Sequence, residues 1–292
     1  MLVTALPYQA TFERTIERIR FAARSLRVRD SRAERRRLAA DIRRTDRLTG
    51  LIDYRLGYTL LPAGTIDGIA SVMAYCQQIR ELRRNAVGKK KRDYNPTILE
   101  PTRYEEAPPL FDFILSDPVL QLATDYLGEI PVLISIKLWC TPINEHLKGS
   151  QLYHRDGNKW LLRRAKFLFN MDDVDENCGP FTFLPADISA RISKKVGTIK
   201  GQDKLDDAFI YRIAKPDDTI SLIGPGGTGA MVDSSRCFHF GARVRRGERL
   251  LLQFNFLRVT DAVEGGPMRR TQGFIARFGD DPVRKLVIPN TE

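Results

Sequence analysis

A histidine and an aspartate two residues apart, His154 and Asp156, could together bind a metal ion. In an extended strand the side chains of residues i and i+2 project from the same face, because side chains alternate with period two. A third candidate ligand, His239, stands much later in the chain. Two imidazoles and one carboxylate on one face of a metal are the facial triad of non-haem Fe(II) sites, which leaves coordination positions open. The sequence therefore predicts that these three residues ligate a metal and are the catalytic residues.

The chain has three histidines, and this hypothesis uses two of them. The third, His146, precedes a predicted loop of Lys148, Gly149 and Ser150, and we expect it to have a structural or surface role. A three-histidine site of the cupin type would require it. A His-X-Asp pair alone is frequent by chance. The surrounding sequence is therefore needed to distinguish a facial triad from a three-histidine site.

That surrounding sequence contains two longer motifs. Residues 173–181 read Asp-Val-Asp-Glu-Asn-Cys-Gly-Pro-Phe, and Leu-Pro follows at 184–185. Residues 233–239 read Asp-Ser-Ser-Arg-Cys-Phe-His, and Arg249 opens an alternating apolar strand ten residues beyond His239. In order and spacing, the region from Ile130 to Val259 resembles the phytanoyl-CoA dioxygenase family of Fe(II)/2-oxoglutarate-dependent oxygenases.

The resemblance implies a function as well as a set of ligands. It implies that His154, Asp156 and His239 bind Fe(II), with 2-oxoglutarate as cofactor and O₂ as co-substrate. The expected activity is hydroxylation of a small-molecule or lipid-like substrate, with release of succinate and CO₂. The substrate itself is not readable, because pocket residues in such folds come from variable loops.

Four further residues are predicted to bind the cofactor. In the family an arginine at the position of Arg249 binds the distal carboxylate of 2-oxoglutarate, and a guanidinium can pair with a carboxylate through two hydrogen bonds. Lys166 lies in a strand near the site and is a second candidate. Gln151 and Tyr153 flank the ligands and are predicted to line the cofactor or substrate pocket, whereas Trp139 is predicted to be a packing residue.

One departure from the family pattern concerns the residues after Leu184-Pro185. Relatives commonly have Gly-Ser-His at this point, and this chain has Ala186-Asp187-Ile188. We expect a loop here that borders the substrate pocket. The departure leaves the metal ligands unaffected but makes analogies about the substrate unsafe.

Two alternative functions remain open at this point. A cupin-type metal enzyme would not use 2-oxoglutarate and would give Arg249 no role. A non-catalytic basic binding protein on the same fold would contact an anionic partner through the arginine-rich segment from Arg14 to Arg47. Such a protein would bind with a steep dependence on salt and would be indifferent to His154→Ala.

The hydrophobic pattern changes near residue 130 from helical to strand periodicity. Helices are predicted at Phe12–Leu26, Ser31–Arg44, Thr65–Arg84 and Asp117–Leu127, the first with a core face of Phe12, Ile16, Ile19, Ala23 and Leu26. Strands are predicted at Val132–Trp139, Lys166–Met171, Phe181–Leu184, Thr219–Ile223, Gly229–Val232 and Leu250–Val259. Short strands separated by Gly, Pro and Asp turns are typical of an antiparallel jelly roll.

The predicted fold is therefore mainly β with flanking helices: a double-stranded β-helix, also called jelly roll or cupin-like, plus an N-terminal helical region. A single domain is expected over residues 1–292. Residues 1–129 would form the mostly helical N-terminal region, 130–260 the double-stranded β-helix core, and 261–292 a C-terminal extension.

Composition narrows the class of protein further. A hydrophobic content of 42% and a charged content of 28% are ordinary for a globular chain, and no apolar run is long enough to span a membrane. The net charge of +11 is concentrated between Arg14 and Arg47, interleaved with acidic residues, and no nucleic-acid motif accompanies it. The four cysteines form no Cys-X-X-Cys pair, which favours reduced thiols and a cytoplasmic location. We expect a small-molecule substrate, no membrane or nucleic-acid partner, and leave the oligomeric state open.

Overall fold

The computed structural model describes residues 7–43, 48, 51–84, 95–144, 147–157, 161–196, 204–262 and 266–292. His146 lies outside the described residues. None of the described helices is both long enough and apolar enough to cross a membrane.

Two antiparallel sheets form the centre of the structure, with strands numbered in chain order. The larger sheet contains β1 (Tyr58–Leu61), β2 (Thr97–Leu99), β3 (Val132–Pro142), β5 (Arg164–Asn170), β9 (Gly229–Val232) and β11 (Glu248–Leu257), in the spatial order β1-β9-β5-β11-β3-β2. The smaller sheet contains β4 (Tyr153–His154), β6 (Thr182–Phe183), β7 (Lys204–Leu205), β8 (Ile220–Ser221) and β10 (His239–Phe240), in the order β7-β4-β10-β6-β8. This arrangement confirms the predicted mainly-β fold with flanking helices.

Apolar side chains from both sheets pack together between them. Leu168 of β5, Val232 of β9 and Leu251 of β11 belong to one buried cluster with Phe183 of β6 and Leu222, which follows β8. Because the two sheets share this cluster, their inner faces pack against each other. The candidate site described below lies between them.

The outer face of the larger sheet packs against helices. The described helices are α1 (Pro7–Arg27), α2 (Arg29–Arg43), α3 (Ile69–Arg84), α4 (Pro108–Ile114), α5 (Asp117–Leu127), α6 (Ala186–Val196), α7 (Asp207–Ile210), α8 (Gln272–Phe278) and α9 (Pro282–Val287). Helices α6 and α7 differ from the others in packing in one cluster with Phe240 of the smaller sheet. Phe254 of β11 stacks on Phe167 of β5, with ring centroids 5.0 Å apart, and meets Phe113 of α4 edge to face. This aromatic cluster is part of the main hydrophobic core.

Strand β11 shows why the sequence alternates in this region. Its even-numbered residues, Leu250 to Phe256, belong to the core beneath the helices. Arg249 and Gln253 carry the opposite parity and line the cavity between the sheets. Since side chains alternate across a strand, one stretch of sequence supplies both the packing face and the functional face.

The predicted helix from Asp117 to Leu127 is found with the same bounds, and Gly128 ends it in the left-handed region with φ 76°. Helix α3 begins at Ile69, later than predicted, because Thr65 bonds back to the carbonyl of Pro62 in a turn. Elements without a predicted counterpart are β1, β2, β7, α4, α6, α7, α8 and α9.

The predicted core face of α1 is wrong in its second half. Ile19 and Leu26 are 64% and 73% exposed. Phe21 instead lies under the guanidinium of Arg258, and Val28, just beyond the helix, packs on a small buried cluster. Helix α1 is therefore rotated relative to the stripe that its sequence suggests.

The arginine-rich segment contributes a buried residue to the fold. Arg35 of α2 is only 1% exposed, and its guanidinium donates to the carbonyls of Ile130, Pro131 and Leu286. Burial lowers the pKa of Arg35 to about 10, with Glu129 acting in the opposite direction. Part of the basic segment therefore joins helices to the body of the domain.

Candidate active site

The register of the smaller sheet brings the two candidate histidines together. His239 of β10 pairs directly with His154 of β4, and their ring centroids are 4.4 Å apart. Asp156 follows β4, and its backbone N–H donates to the carbonyl of Ser234 at 2.8 Å. The ligand atoms of the three residues all lie within 4.8 Å of one another. The structure thus places the three predicted metal ligands around one point.

The hydrogen bonds of the two imidazoles fix which nitrogen is free. Nδ1 of His154 lies 2.8 Å from the carbonyl oxygen of Leu152, and Nδ1 of His239 lies 2.9 Å from that of Cys237. A carbonyl oxygen only accepts, so each Nδ1 carries the proton and each Nε2 keeps a lone pair. Nε2 of His239 is buried and has no hydrogen-bond partner.

The donor set fits a divalent metal ion. Nε2 of His154 lies 4.0 Å from Oδ1 of Asp156, and Nε2 of His239 lies 3.8 Å from Oδ2. A cation between these atoms would satisfy the buried lone pair of His239, and the Nδ1–H···O=C bonds are the outer contacts that commonly orient metal-bound histidines. Two nitrogens and one carboxylate suit Fe(II) with open positions.

The protonation states at neutral pH also favour metal binding. Burial lowers the pKa of His154 and lowers that of His239 well below its ordinary value, and the nearby Lys166 ammonium lowers both further. Burial alone would raise the pKa of Asp156, but Lys166, His239 and Arg164 together outweigh it and lower that pKa. Both imidazoles are therefore neutral and the carboxylate is ionised, which is the form in which each binds a metal.

A buried aspartate holds the loop that leads to His239. Oδ1 of Asp233 accepts the backbone N–H of Ser235 at 3.0 Å, and Oδ2 accepts the hydroxyl of Tyr126 from α5. The hydroxyl of Ser235 lies 3.0 Å from the carbonyl of Leu162. Burial raises the pKa of Asp233 despite these bonds. The loop that supplies the anchor for Asp156 is thereby tied to a helix of the core.

A cavity of about 200 Å³ opens beside the three ligands. The residues that line it are Asn95, Trp139, Ser150, His154, Asp156, Lys166, Leu168, Phe181, His239, Gly241, Ala242, Arg249, Leu251 and Gln253. The lining combines these polar and charged groups with the apolar side chains of Trp139, Leu168, Phe181 and Leu251, a combination found in small-molecule sites.

Arg249 is a buried cation in the wall of this cavity. It is 2% exposed, and its Nη1 donates to the carbonyl of Gly179. Its Nε is buried without a partner, and none of the described carboxylates forms an ion pair with it. Burial lowers the pKa of Arg249 to about 10, so the group remains charged at neutral pH. The absence of a side chain at Gly241 leaves space, because a Cβ there would stand 3.4 Å from Nη1.

Lys166 also lines the cavity, but its ammonium contacts a ligand carboxylate. Nζ of Lys166 lies 2.5 Å from Oδ2 of Asp156, and the side chain is 7% exposed. In this geometry Lys166 steadies Asp156.

Gln151 and Tyr153 do not line the cavity, contrary to the prediction. The side-chain amide of Gln151 donates to the carbonyl of Ala242 and accepts from the backbone of Lys148. The Tyr153 ring packs edge to face on Phe240. For Tyr153 the reason is the alternation of the strand, since the neighbour of His154 in sequence must point to the opposite face. Gln151 lies before the strand, in a 3-10 turn.

Several lining residues were not singled out from the sequence. Trp139, predicted to be a packing residue, forms part of the cavity wall together with Gln253 and Asn95. Gln253 could have been found by counting in steps of two from Arg249, because equal parity places both on the inner face. Asn95 and Ser150 lie outside strands and gave no such signal.

The expected pocket loop after Leu184-Pro185 is wrong, because α6 begins at Ala186. Oγ of Ser189 in this helix accepts the backbone N–H of Phe238 at 2.9 Å, next to the ligand His239. Ile192 of the same helix is fully buried in a cluster with Phe240. This segment therefore supports the strand that carries a ligand.

The fold is similar to solved structures, although no protein-family model and no curated protein matches the chain. The non-heme alpha ketoglutarate dependent carbocyclase SnoK from nogalamycin biosynthesis is 13% identical, covers 75% of this chain and 86% of its own, and has a TM-score of 0.50. HygX from Streptomyces hygroscopicus with nickel and 2-oxoglutarate bound is 13% identical, covers 73% and 87%, and scores 0.48. The epimerase SnoN in complex with Fe3+, alpha ketoglutarate and nogalamycin RO is 16% identical, covers 78% and 84%, and scores 0.47. At these identities the SnoK match speaks for the architecture alone.

Proposed function

We propose that this chain is a non-haem Fe(II)/2-oxoglutarate-dependent oxygenase related to the phytanoyl-CoA dioxygenases. The observation that carries the proposal is the presence of Arg249, a buried guanidinium that has no carboxylate partner among the described residues, in the same cavity as the three candidate metal ligands. An enzyme that used the metal alone would have no need for a desolvated cation there. A dianionic cofactor with one carboxylate near the metal and one on Arg249 accounts for both features.

Each residue of the site has a defined task in this proposal. Nε2 of His154, Nε2 of His239 and a carboxylate oxygen of Asp156 hold the iron, and Lys166 steadies the other oxygen of Asp156. The guanidinium of Arg249 orients 2-oxoglutarate through its distal carboxylate. Bound iron and 2-oxoglutarate supply the oxidising chemistry, in which one oxygen atom of O₂ enters the substrate and the other enters succinate as CO₂ leaves.

The wall of the cavity contributes by excluding water. Phe181, Leu168 and Leu251 line it together with Trp139. A dry apolar wall strengthens the interaction between Arg249 and a carboxylate, and it limits side reactions of a reactive oxidant.

The role of Arg249 can be measured by calorimetric titration of 2-oxoglutarate into protein loaded with Zn(II), without turnover. Arg249→Gln should weaken 2-oxoglutarate binding on the order of 10²-fold, because the variant loses a charge-assisted pair in a buried site. Metal binding should be unchanged. Arg249→Lys should recover part of the loss, since it keeps the charge but not the planar fork.

Arg245→Gln is the matched control, because Arg245 is an exposed arginine four residues away in the turn before β11. It should bind 2-oxoglutarate like the wild type. Equal affinity in Arg249→Gln and wild type would contradict the assignment and leave a metal site without this cofactor.

A further inference from the structure

Three basic residues lie beside the metal ligands: Lys166 lines the cavity, whereas Arg164 and the exposed Lys204 stand outside its lining. Arg164 and Lys166 share one face of β5, since they are two residues apart. Lys204 of β7 pairs directly with His154 of β4, which places both side chains on the same face of the smaller sheet. The ammonium of Lys204 is near enough to contribute to lowering the pKa of His154.

Arg164 and Arg249 lie toward opposite ends of β11. Along β11, Arg249 pairs with Thr141 of β3, while Leu257 at the other end of the strand pairs with Arg164. This separation of eight residue steps along β11 corresponds to about 27 Å of extended strand. Arg249 lines the same cavity as the three ligands, while Lys166 and Arg164 lie 2.5 and 3.9 Å from Oδ2 of Asp156.

The carboxylates available to these cations are too few. Asp156 is the one carboxylate among the described residues that line the cavity, and Lys166 already occupies its Oδ2 at 2.5 Å. Nη1 of Arg164 stands 3.9 Å from the same oxygen, and its Nε is buried without a hydrogen-bond partner. No described carboxylate forms an ion pair with Lys204. Lys137, by contrast, has its own partner in Glu100 at 3.0 Å.

Metal binding would leave these cations still less satisfied. If Asp156 ligates iron, as the proposed function requires, its negative charge is shared with a divalent cation. A site that presents unpaired cations beside a bound metal attracts an anion, and low-dielectric walls strengthen that attraction.

We propose that the substrate carries an anionic group, a carboxylate or a phosphate, that binds to Arg164 and Lys204 beside Asp156 and His154, outside the part of the cavity that Arg249 lines. The inference rests on the proposed function, because it takes Arg249 as the site of the cofactor carboxylate. It assigns the Arg249 side of the site to the cofactor anion and the Arg164 side to the substrate anion. The substrate carbon that reacts then lies on the side of the metal that faces Arg164.

The test uses three aromatic probes of similar shape and different charge: benzoate, phenyl phosphate and benzamide. Saturation-transfer NMR titrations would measure their dissociation constants for the full chain loaded with Zn(II) and saturated with 2-oxoglutarate, so that Arg249 is already occupied. The anionic probes should bind the wild type more tightly than neutral benzamide. Whichever of the two anions binds more tightly identifies the favoured headgroup.

Arg164→Gln and Lys204→Gln should each raise the dissociation constant of the tighter anion about fivefold, a typical effect for a partly exposed ion pair. Arg164→Lys should retain most of the affinity, which separates loss of charge from loss of fold. Lys194→Gln, which removes an exposed charge on α6, should change nothing. Benzamide binding as tightly as benzoate, or unchanged anion affinity in both glutamine variants, would overturn the inference.

A failure of the proposed function would look different. In that case 2-oxoglutarate would not bind the wild type, and the same probe titrations in Zn(II)-loaded Arg249→Gln protein would still report on Arg164 and Lys204 alone.

Discussion

At the scale of single residues, the site depends on backbone hydrogen bonds that orient the two imidazoles and leave one nitrogen of each ring for a metal. Each imidazole uses Nδ1 on a backbone carbonyl and keeps Nε2 free, and Nε2 of His239 is buried without a partner. An unpartnered buried polar atom costs about 1–3 kcal/mol. A bound metal ion would remove that cost. We therefore expect the metal-free protein to have a lower free energy of unfolding than the metal-bound protein.

The pH dependence of stability tests this description of His239. Burial lowers its pKa well below 6.5 in the folded chain, so below about pH 6.5 the unfolded chain binds a proton that the folded chain does not. Stability contributed by this group is therefore lost as the pH falls, by at most about 1.4 kcal/mol per pH unit. His239→Gln should flatten the fall in the free energy of unfolding between pH 7 and pH 5.

Urea denaturation at pH 7, 6 and 5 in the presence of a chelator measures the two slopes. His154→Gln is the comparison variant and should show a smaller flattening, because the pKa of His154 is lowered less. Identical slopes for the wild type and His239→Gln would mean that the imidazole titrates normally in the folded chain.

At the scale of elements, helix α2 of the N-terminal region links distant parts of the chain through buried contacts. Arg35 joins α2 to the chain before β3 and to α9 through three carbonyls at 2.7 to 3.2 Å. Arg32 of the same helix forms an ion pair with the buried Glu129 at 3.1 Å. These contacts tie the start and the end of the chain to the first long strand of the core.

Replacing Arg35 with methionine should destabilise the protein by about 3 kcal/mol or more, because three buried carbonyls lose charge-assisted bonds. Arg36→Met, at the exposed position next along the same helix, should change the free energy of unfolding by less than about 0.5 kcal/mol. Chemical denaturation of the two variants beside the wild type measures both values. Similar losses in the two variants would show that helix propensity and not the buried contact is responsible.

The elements that the sequence predicted well are those with strong local signals. Helix α5 has proline near its start and Gly128 at its end, and β11 is a long run of mostly apolar residues, as expected of a strand buried on both faces. Helix α1 was placed correctly but its buried face was not, because arginines leave too few apolar residues to define one stripe. Strand β7 has two residues and was missed, since its pairing with β4 depends on a contact distant in sequence.

At the scale of the whole molecule, the two sheets have different roles. The outer face of the larger sheet packs on helices and supplies the stability, while its inner face and the smaller sheet supply the cavity. The grouping of His154, Asp156, His239 and Arg249 was predictable because their order and spacing form a recognisable pattern in the sequence. The sequence did not predict that Tyr153 lies outside the cavity or that Lys204 pairs with His154, because both facts depend on how the strands pair in three dimensions.

The most direct test of the account is an anaerobic titration of Fe(II) and 2-oxoglutarate, followed by the weak visible absorption band of the iron–oxoglutarate chelate. We predict that the wild type develops the band, that His154→Ala does not, and that Arg249→Gln requires on the order of 10²-fold more 2-oxoglutarate. A wild type that binds iron without developing the band would contradict the account and favour a metal enzyme of the cupin type. A wild type that binds no metal would contradict it as well and favour a non-catalytic binding protein.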